Sequence, residues 1–221
     1  MTPDLMESQA PQIPQPSWSA RVNYTRQQPL DRDAELMLRV RDGDQRSFEL
    51  LLEKHRGPMI HFLRRMVQNE AVAEELAQEV FLRVYKSRGN YEPSAKFTTW
   101  LFRIATNLAL NSLRDNRYHQ MDVSIDAPVE EDVAPLQLPA RELRIDEKMI
   151  ERDRSEFIRR AIAALPEKQR VAVLLHKYEE MDYGEIAKIL ECSESALKSL
   201  LFRAYETLRV ELAPLVAQQA K

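Results

Sequence analysis

Glycine occurs only 4 times in 221 residues, and no run of Val, Ile or Thr marks out a strand, so the turn punctuation and β-branched stretches of a sheet protein are missing. A single cysteine, Cys192, excludes an internal disulfide and any cysteine-based metal cage, and it fits a reducing compartment. Aromatic residues make up only 7% beside 44% hydrophobic and 30% charged residues, a balance that suits helix packing better than a sheet sandwich. No apolar run approaches the roughly 20 residues that a membrane span needs, and the polar, proline-rich start does not resemble a signal peptide. The expectation is a soluble, cytoplasmic chain without membrane insertion. With a formal net charge of -3 the chain also lacks a broad basic surface, so any DNA binding must be local or assisted.

What is present is helical periodicity in two blocks. Residues 1–30 carry Pro3, Pro11, Pro14, Pro16 and Pro29 among Gln and Ser, a composition that cannot bury enough surface to offset ordering entropy, and they are read as a disordered tail. Trp18 is the one tail residue suited to docking on a partner. From Asp33, apolar residues recur at helical spacing through Leu36, Val40, Phe48, Leu51, Leu52, Met59, Ile60, Leu63 and Val67. The pattern breaks near Gly43, with a bend expected at Gly57-Pro58. A further helix is expected over residues 70–86, with Leu76, Val80, Leu82 and Val84 as its apolar residues and Gly89 near its stop. A short loop over residues 91–96 then feeds a long helix expected over residues 97–116.

Periodicity fails after Tyr118, where Pro128, Glu130, Glu131, Asp132, Pro135 and Pro139 mark a linker. Helical character returns near Arg141 and is firm from Glu156. The fold class is therefore all-α, with two small helical domains over residues 31–117 and 153–214 joined by a flexible linker over residues 118–152.

The second domain ends in a helix-turn-helix layout. Asp182 and Glu185 stand at capping-box spacing for its first helix, and Ser193 is placed to cap its second. On that second helix Leu197, Leu200, Leu201, Ala204 and Leu208 share a core side. Ser195, Lys198, Ser199, Phe202, Arg203 and Glu206 share the other, with donors, cations and an aromatic suited to a major groove. Phe202 reads either as a contact to a thymine methyl or as cover for a neighbouring helix. The same polar side also reads as an ordinary solvated face.

In the first domain Thr99, Arg103, Thr106, Asn107 and Arg114 fall on one side of the long helix, and Leu101, Ile104, Ala105 and Leu108 on the other. With Asn90, Tyr91 and Lys96 in the preceding loop and Trp100 at the boundary, this side combines cations with aromatics, as binding of single-stranded DNA requires. Trp100 reads equally as a core residue. The helix with Glu74, Glu75, Gln78, Glu79 and Arg83 shows only a charged face, which alone would be dismissed as solvated.

The run Glu75-Leu-Ala-Gln-Glu-Val-Phe-Leu-Arg-Val-Tyr85, followed by Phe97-Thr-Thr-Trp-Leu-Phe-Arg-Ile-Ala-Thr-Asn107, resembles the second conserved region of RNA polymerase sigma factors. Leu165-Pro-Glu-Lys-Gln-Arg170, Tyr183-Gly-Glu-Ile-Ala-Lys-Ile-Leu190 and Ala196-Leu-Lys-Ser-Leu-Leu-Phe-Arg-Ala204 resemble the fourth region, in the right order and separation. There is no room for the first or third regions, as in the extracytoplasmic-function (ECF) group of the sigma-70 family.

The resemblance implies an alternative sigma factor without a catalytic residue, cofactor or metal. Glu75, Gln78, Glu79 and Arg83 would bind core RNA polymerase. Asn90, Tyr91, Lys96, Thr99, Trp100, Arg103 and Asn107 would capture the non-template strand of the minus-ten promoter element, with an extruded base held in the loop. Ser195, Lys198, Ser199, Phe202 and Arg203 would read minus-thirty-five DNA as duplex, and the acidic linker would thread the polymerase near the RNA exit path. An anti-sigma factor would hold the chain inactive by covering both surfaces.

Relatives often carry Arg where this chain has Leu200 and Tyr205, and helix-turn-helix segments often place Gly where it has Glu191. Three other readings compete. A stand-alone helix-turn-helix regulator would bind duplex DNA as a dimer, but there is no heptad run to form one. An enzyme would need a phosphate loop or a ligand pattern, and His55, His61, His119 and His176 have no such spacing. A helical adaptor would leave the pattern from Phe97 to Asn107 unexplained.

Overall fold

The computed structural model describes residues 31–123 and 147–215, with side chains over residues 31–116 and 154–215. The tail over residues 1–30, Trp18 within it, and the acidic centre of the expected linker lie outside the described residues. All regular structure among the described residues is helical: α1 (Arg32–Arg41), α2 (Gln45–Val67), α3 (Glu70–Lys86), a 3-10 turn (Arg88–Asn90), α4 (Phe97–Val123), α5 (Glu147–Ala164), α6 (Glu167–Lys177), α7 (Tyr183–Ile189) and α8 (Glu194–Glu211).

The helix starts have side-chain causes. Asp31 accepts from the Asp33 N–H, Asp44 from the N–H groups of Arg46 and Ser47, and Asn69 from that of Val72. Each such cap stabilises its helix by about 1 kcal/mol. Gly43, at φ 99°, makes the left-handed turn between α1 and α2 that a side chain would strain. The bend expected at Gly57-Pro58 does not interrupt α2, which runs through both residues. Gly57 and Pro58 face solvent, while Leu51, His55, Met59 and Phe62 hold the opposite face in the core.

α3 ends at Lys86 as expected but by another cause, and α4 ends later than expected. α3 stops not at a left-handed glycine but at Ser87, whose hydroxyl donates to the Arg83 carbonyl at 2.6 Å before the chain tightens into the 3-10 turn. α4 continues past Asn116 to Val123, because residues 117–123 contain neither Gly nor Pro to stop it.

Met37, Leu51, Met59, Phe62, Leu63, Met66, Val80, Phe97 and Leu101 fill the interior between α1, α2, α3 and α4, and Phe62 meets Phe102 edge-on at 5.2 Å. Leu165, Val171, Leu174, Leu175, Ile186, Leu197, Leu201 and Ala204 do the same between α5 and α8. The two groups of helices pack directly on each other, α2 against α5 and α6, and α4 against α7.

A carboxylate pair at the start of α1 ties the first group together. Asp31 also accepts from the Phe97 N–H at 3.3 Å, so one side chain serves the starts of both α1 and α4. Asp33 is buried and accepts from Lys54 Nζ at 2.7 Å and lies 2.8 Å from His55 Nε2, which donates to the carboxylate when it carries a proton.

Burial alone would raise the Asp33 carboxyl, but the hydrogen bonds from Lys54 and His55 outweigh it and hold the pKa below the ordinary 3.8. Burial lowers the His55 imidazole below the ordinary 6.5, against the pull of Asp33. Both groups therefore bind protons more readily in the unfolded chain, so their contribution is fully present above the unfolded values and is lost as pH falls. Thermal melts from about pH 7.5 to about pH 5 should show a falling midpoint, with a shallower fall in His55→Gln, which retains a donor for Asp33 but does not titrate there. An equally steep fall in the variant would show that His55 is not the responsible group.

Candidate nucleic-acid interface

The helix-turn-helix forms as its capping residues require. Asp182 Oδ1 accepts from the Glu185 N–H at 2.8 Å, and Glu185 Oε2 accepts from the Asp182 N–H at 3.1 Å, a reciprocal capping box that starts α7. Ser193 Oγ accepts from the Ala196 N–H at 3.1 Å and starts α8. Between them Glu191 sits at φ 52°, in the left-handed region that glycine would occupy without strain.

Leu197, Leu201, Ala204 and Leu208 of α8 are buried and Leu200 is half-buried, as the helical spacing requires. Ser195, Lys198, Ser199, Phe202 and Arg203 all face solvent. Phe202 is 68% exposed, which settles its two readings against cover for a neighbouring helix. Ser199 Oγ donates to the Ser195 carbonyl at 3.1 Å, and Arg203 Nε donates to the Ser199 carbonyl at 3.2 Å, so both side chains lie along their own helix. Tyr205 turns the other way: its hydroxyl meets His176 Nδ1 at 2.7 Å, and the half-buried ring packs on α6.

On the first group of helices the expected single-strand face is divided. Asn90, Lys96 and Asn107 are exposed, and Trp100 and Arg103 are half-buried. Tyr91 and Thr99 are buried. Tyr91 packs at 5.0 Å from Trp100 and 6.3 Å from Phe97, which in turn lies 5.4 Å from His55, so these rings form one cluster under the loop. Its hydroxyl is buried without a hydrogen-bond partner, and burial together with the charges of Asp31 and Asp33 pushes the phenol pKa up. Thr106, which the spacing puts on the polar side, is also buried with its hydroxyl unpartnered, because α4 is covered on two sides rather than one.

Part of that cover is α7. Lys96 Nζ lies 2.9 Å from Glu185 Oε1, and Thr99 Oγ1 donates to the same oxygen at 3.4 Å. The contact with Glu185 raises the Lys96 pKa. The two DNA-reading faces expected from sequence are thus unequal: the one on α8 is open, while the one on α4 meets another part of the chain.

On α3, Glu75 and Gln78 are exposed, and Glu79 accepts from Arg83 Nε at 2.7 Å. Leu82, grouped in the sequence with the apolar residues of this helix, is 45% exposed at the centre of this charged face, with Tyr85 at its edge. At 100° per residue Leu82 lies between Gln78 and Glu79 as seen down the helix, a signal present in the sequence that its hydrophobic character masked. An apolar centre with a charged rim is the anatomy of a protein-docking surface.

Residues 51–118 match the family Sigma-70 region 2, and residues 156–208 match Sigma-70, region 4. The chain is 33% identical over 192 residues to the RNA polymerase sigma-H factor of Pseudomonas aeruginosa, covering 85% of this chain and 97% of that protein. It is 30% identical over 185 residues to the ECF RNA polymerase sigma-E factor of Escherichia coli, covering 83% and 96%. The fold is similar to the sigma factor RpoE of Bartonella quintana, solved in complex with the anti-sigma factor NepR, at TM-score 0.58 and 20% identity over 75% of this chain and 96% of that one.

The left-handed Glu191 gives a direct expectation. Glu191→Gly should raise stability by about 0.5–1 kcal/mol, the relief of strain exceeding the added freedom of the unfolded chain. Urea denaturation reads this as a higher midpoint at unchanged slope, and a lower midpoint would mean that the turn gains more from Glu191 than it loses to strain.

Proposed function

The chain belongs to the ECF group of the sigma-70 family and is an alternative sigma factor, and on that premise we propose how its surfaces divide the work of initiation. Residues 31–117 act as region 2 and residues 153–214 as region 4, with residues 118–152 linking them. The α3 face of Glu75, Gln78, Glu79 and Arg83 docks on core RNA polymerase, with Leu82 as the apolar contact at its centre. The α8 face of Ser195, Lys198, Ser199, Phe202 and Arg203 enters the major groove of the minus-thirty-five element.

The minus-ten element is taken as a single strand by Asn90, Lys96, Thr99, Arg103 and Asn107. Trp100, half-buried, offers a ring at this face, with the buried Tyr91 packed against it. Capturing unpaired bases lowers the cost of melting without making or breaking a covalent bond, so the chain acts as a DNA-binding initiation factor and not as an enzyme. It works in the cytoplasm, where the polymerase is, and an anti-sigma factor controls it, as the complex known for the Bartonella quintana relative supports.

The observation that carries this reading is the α8 face. Five residues singled out as groove-facing all stand clear of the protein's own contacts between helices, one of them a phenylalanine 68% exposed. A large apolar ring left in water is costly unless a partner covers it, and a thymine methyl is such a partner.

The two docking surfaces separate by mutation. Arg203→Ala should lower reconstituted transcription from minus-thirty-five-dependent promoters by about tenfold while leaving affinity for core polymerase unchanged. Leu82→Asp should do the reverse, weakening core binding first. Equal loss of polymerase binding in Arg203→Ala would remove the groove assignment.

A further inference from the structure

One side of α2 takes no part in the surfaces assigned so far. Glu49, Leu52, Glu53, Arg56, Gly57 and Ile60 recur there at helical spacing and line a shallow groove of about 490 Å³. Among the described residues α2 alone lines it. Leu52 and Ile60 are half-buried and give it an apolar floor, while Glu49, Glu53 and Arg56 are exposed along its rim. Gly57 eases the helical conformation that the residue before Pro58 would otherwise resist, and without a side chain it leaves the backbone of α2 bare at the centre of the groove. A Cβ added at Gly57 would meet nothing within 4 Å, so no described neighbour fills the opening.

The chain itself supplies a segment of matching reach and chemistry. Residues 1–30 join the fold at Asp31, and Asp33 meets Lys54 and His55, so the segment leaves the domain level with the middle of the groove. Trp18 stands 13 positions before Asp31, a reach of about 45 Å, against a groove about 17 Å long from Glu49 to Ile60. Residues 17–28 hold no proline and no acidic residue, and they carry Trp18, Val22 and Tyr24 beside Arg21 and Arg26. Leu52 and Ile60 suit an aromatic ring, and Glu49 and Glu53 suit the two cations. Glu49 already accepts from Arg46 Nη1 at 2.7 Å on the open surface, a contact that a second guanidinium can share.

We propose that residues 18–26 dock on this groove of their own chain, with the Trp18 indole against Leu52, Gly57 and Ile60 and with Arg21 and Arg26 at the Glu49 and Glu53 end. Tethering makes the event intramolecular. A short connection holds the two parts at an effective concentration on the order of 1 mM, so a contact too weak to persist between separate molecules is populated within one chain. A segment unable to build a core of its own thus adds an aromatic anchor to region 2, and a partner approaching this side of α2 must displace it.

The chain has two tryptophans, Trp18 and Trp100, so a full-length Trp100→Phe chain reports on Trp18 alone, and acrylamide quenching of its fluorescence reads its burial. Gly57→Gln combined with Pro58→Ala fills the groove with a side chain that meets nothing in the fold and favours helix, and Pro58→Ala alone is the control. The expected result is a quenching constant about threefold lower in the control than in the filled-groove chain, unchanged on about tenfold dilution and with helicity retained in both. Trp18→Ala should also lower the urea midpoint of the Pro58→Ala chain but not that of the filled-groove chain. Free quenching in both chains overturns the proposal. Protection that the filled groove leaves intact puts Trp18 on another face, and protection lost on dilution puts it on a second copy; either result overturns it as well.

Discussion

The two carboxylate oxygens of Glu185 face different parts of the molecule, one closing the capping box of α7 and the other meeting Lys96 and Thr99 on α4. The start of the helix-turn-helix and the contact with the region 2 face therefore share one side chain.

The region 2 end of this contact is held just as firmly. Asp31 links the starts of α1 and α4, and Asp33 ties α1 to Lys54 and His55 of α2. Lys96 immediately precedes the α4 residue whose N–H Asp31 accepts, so the loop joins α4 at a hydrogen-bonded helix start. Tyr91, Phe97 and Trp100 pack against one another at tilted and edge-on angles at the same end of α4.

Much of this was legible in the sequence wherever the cause is local. The bounds of α3, the capping box of Asp182 and Glu185, the Ser193 cap, the left-handed Glu191 and the exposed face of α8 all follow from residues within one or two turns of each other. What escaped has a non-local cause. Thr99 and Glu185 are 86 positions apart, and Arg170 reaches Met66 across 104, distances over which helical spacing says nothing. Thr106 is buried for the same reason, since which helix faces acquire a neighbour depends on packing, whereas the exposed Leu82 was legible from its angle on α3 and was masked by its hydrophobic character. The motif Leu165 to Arg170 pointed to a family, but only the structure gives its arginine a task.

The most direct test of the central claim is run-off transcription from a pool of promoter fragments by a bacterial core polymerase, with and without this chain, beside a duplex-binding assay lacking polymerase. Specific initiation only when chain and core are combined, with weak duplex binding by the chain alone, is the expected result. Failure to initiate, together with tight sequence-specific duplex binding by the chain alone, would contradict it and identify a free-standing helix-turn-helix regulator instead.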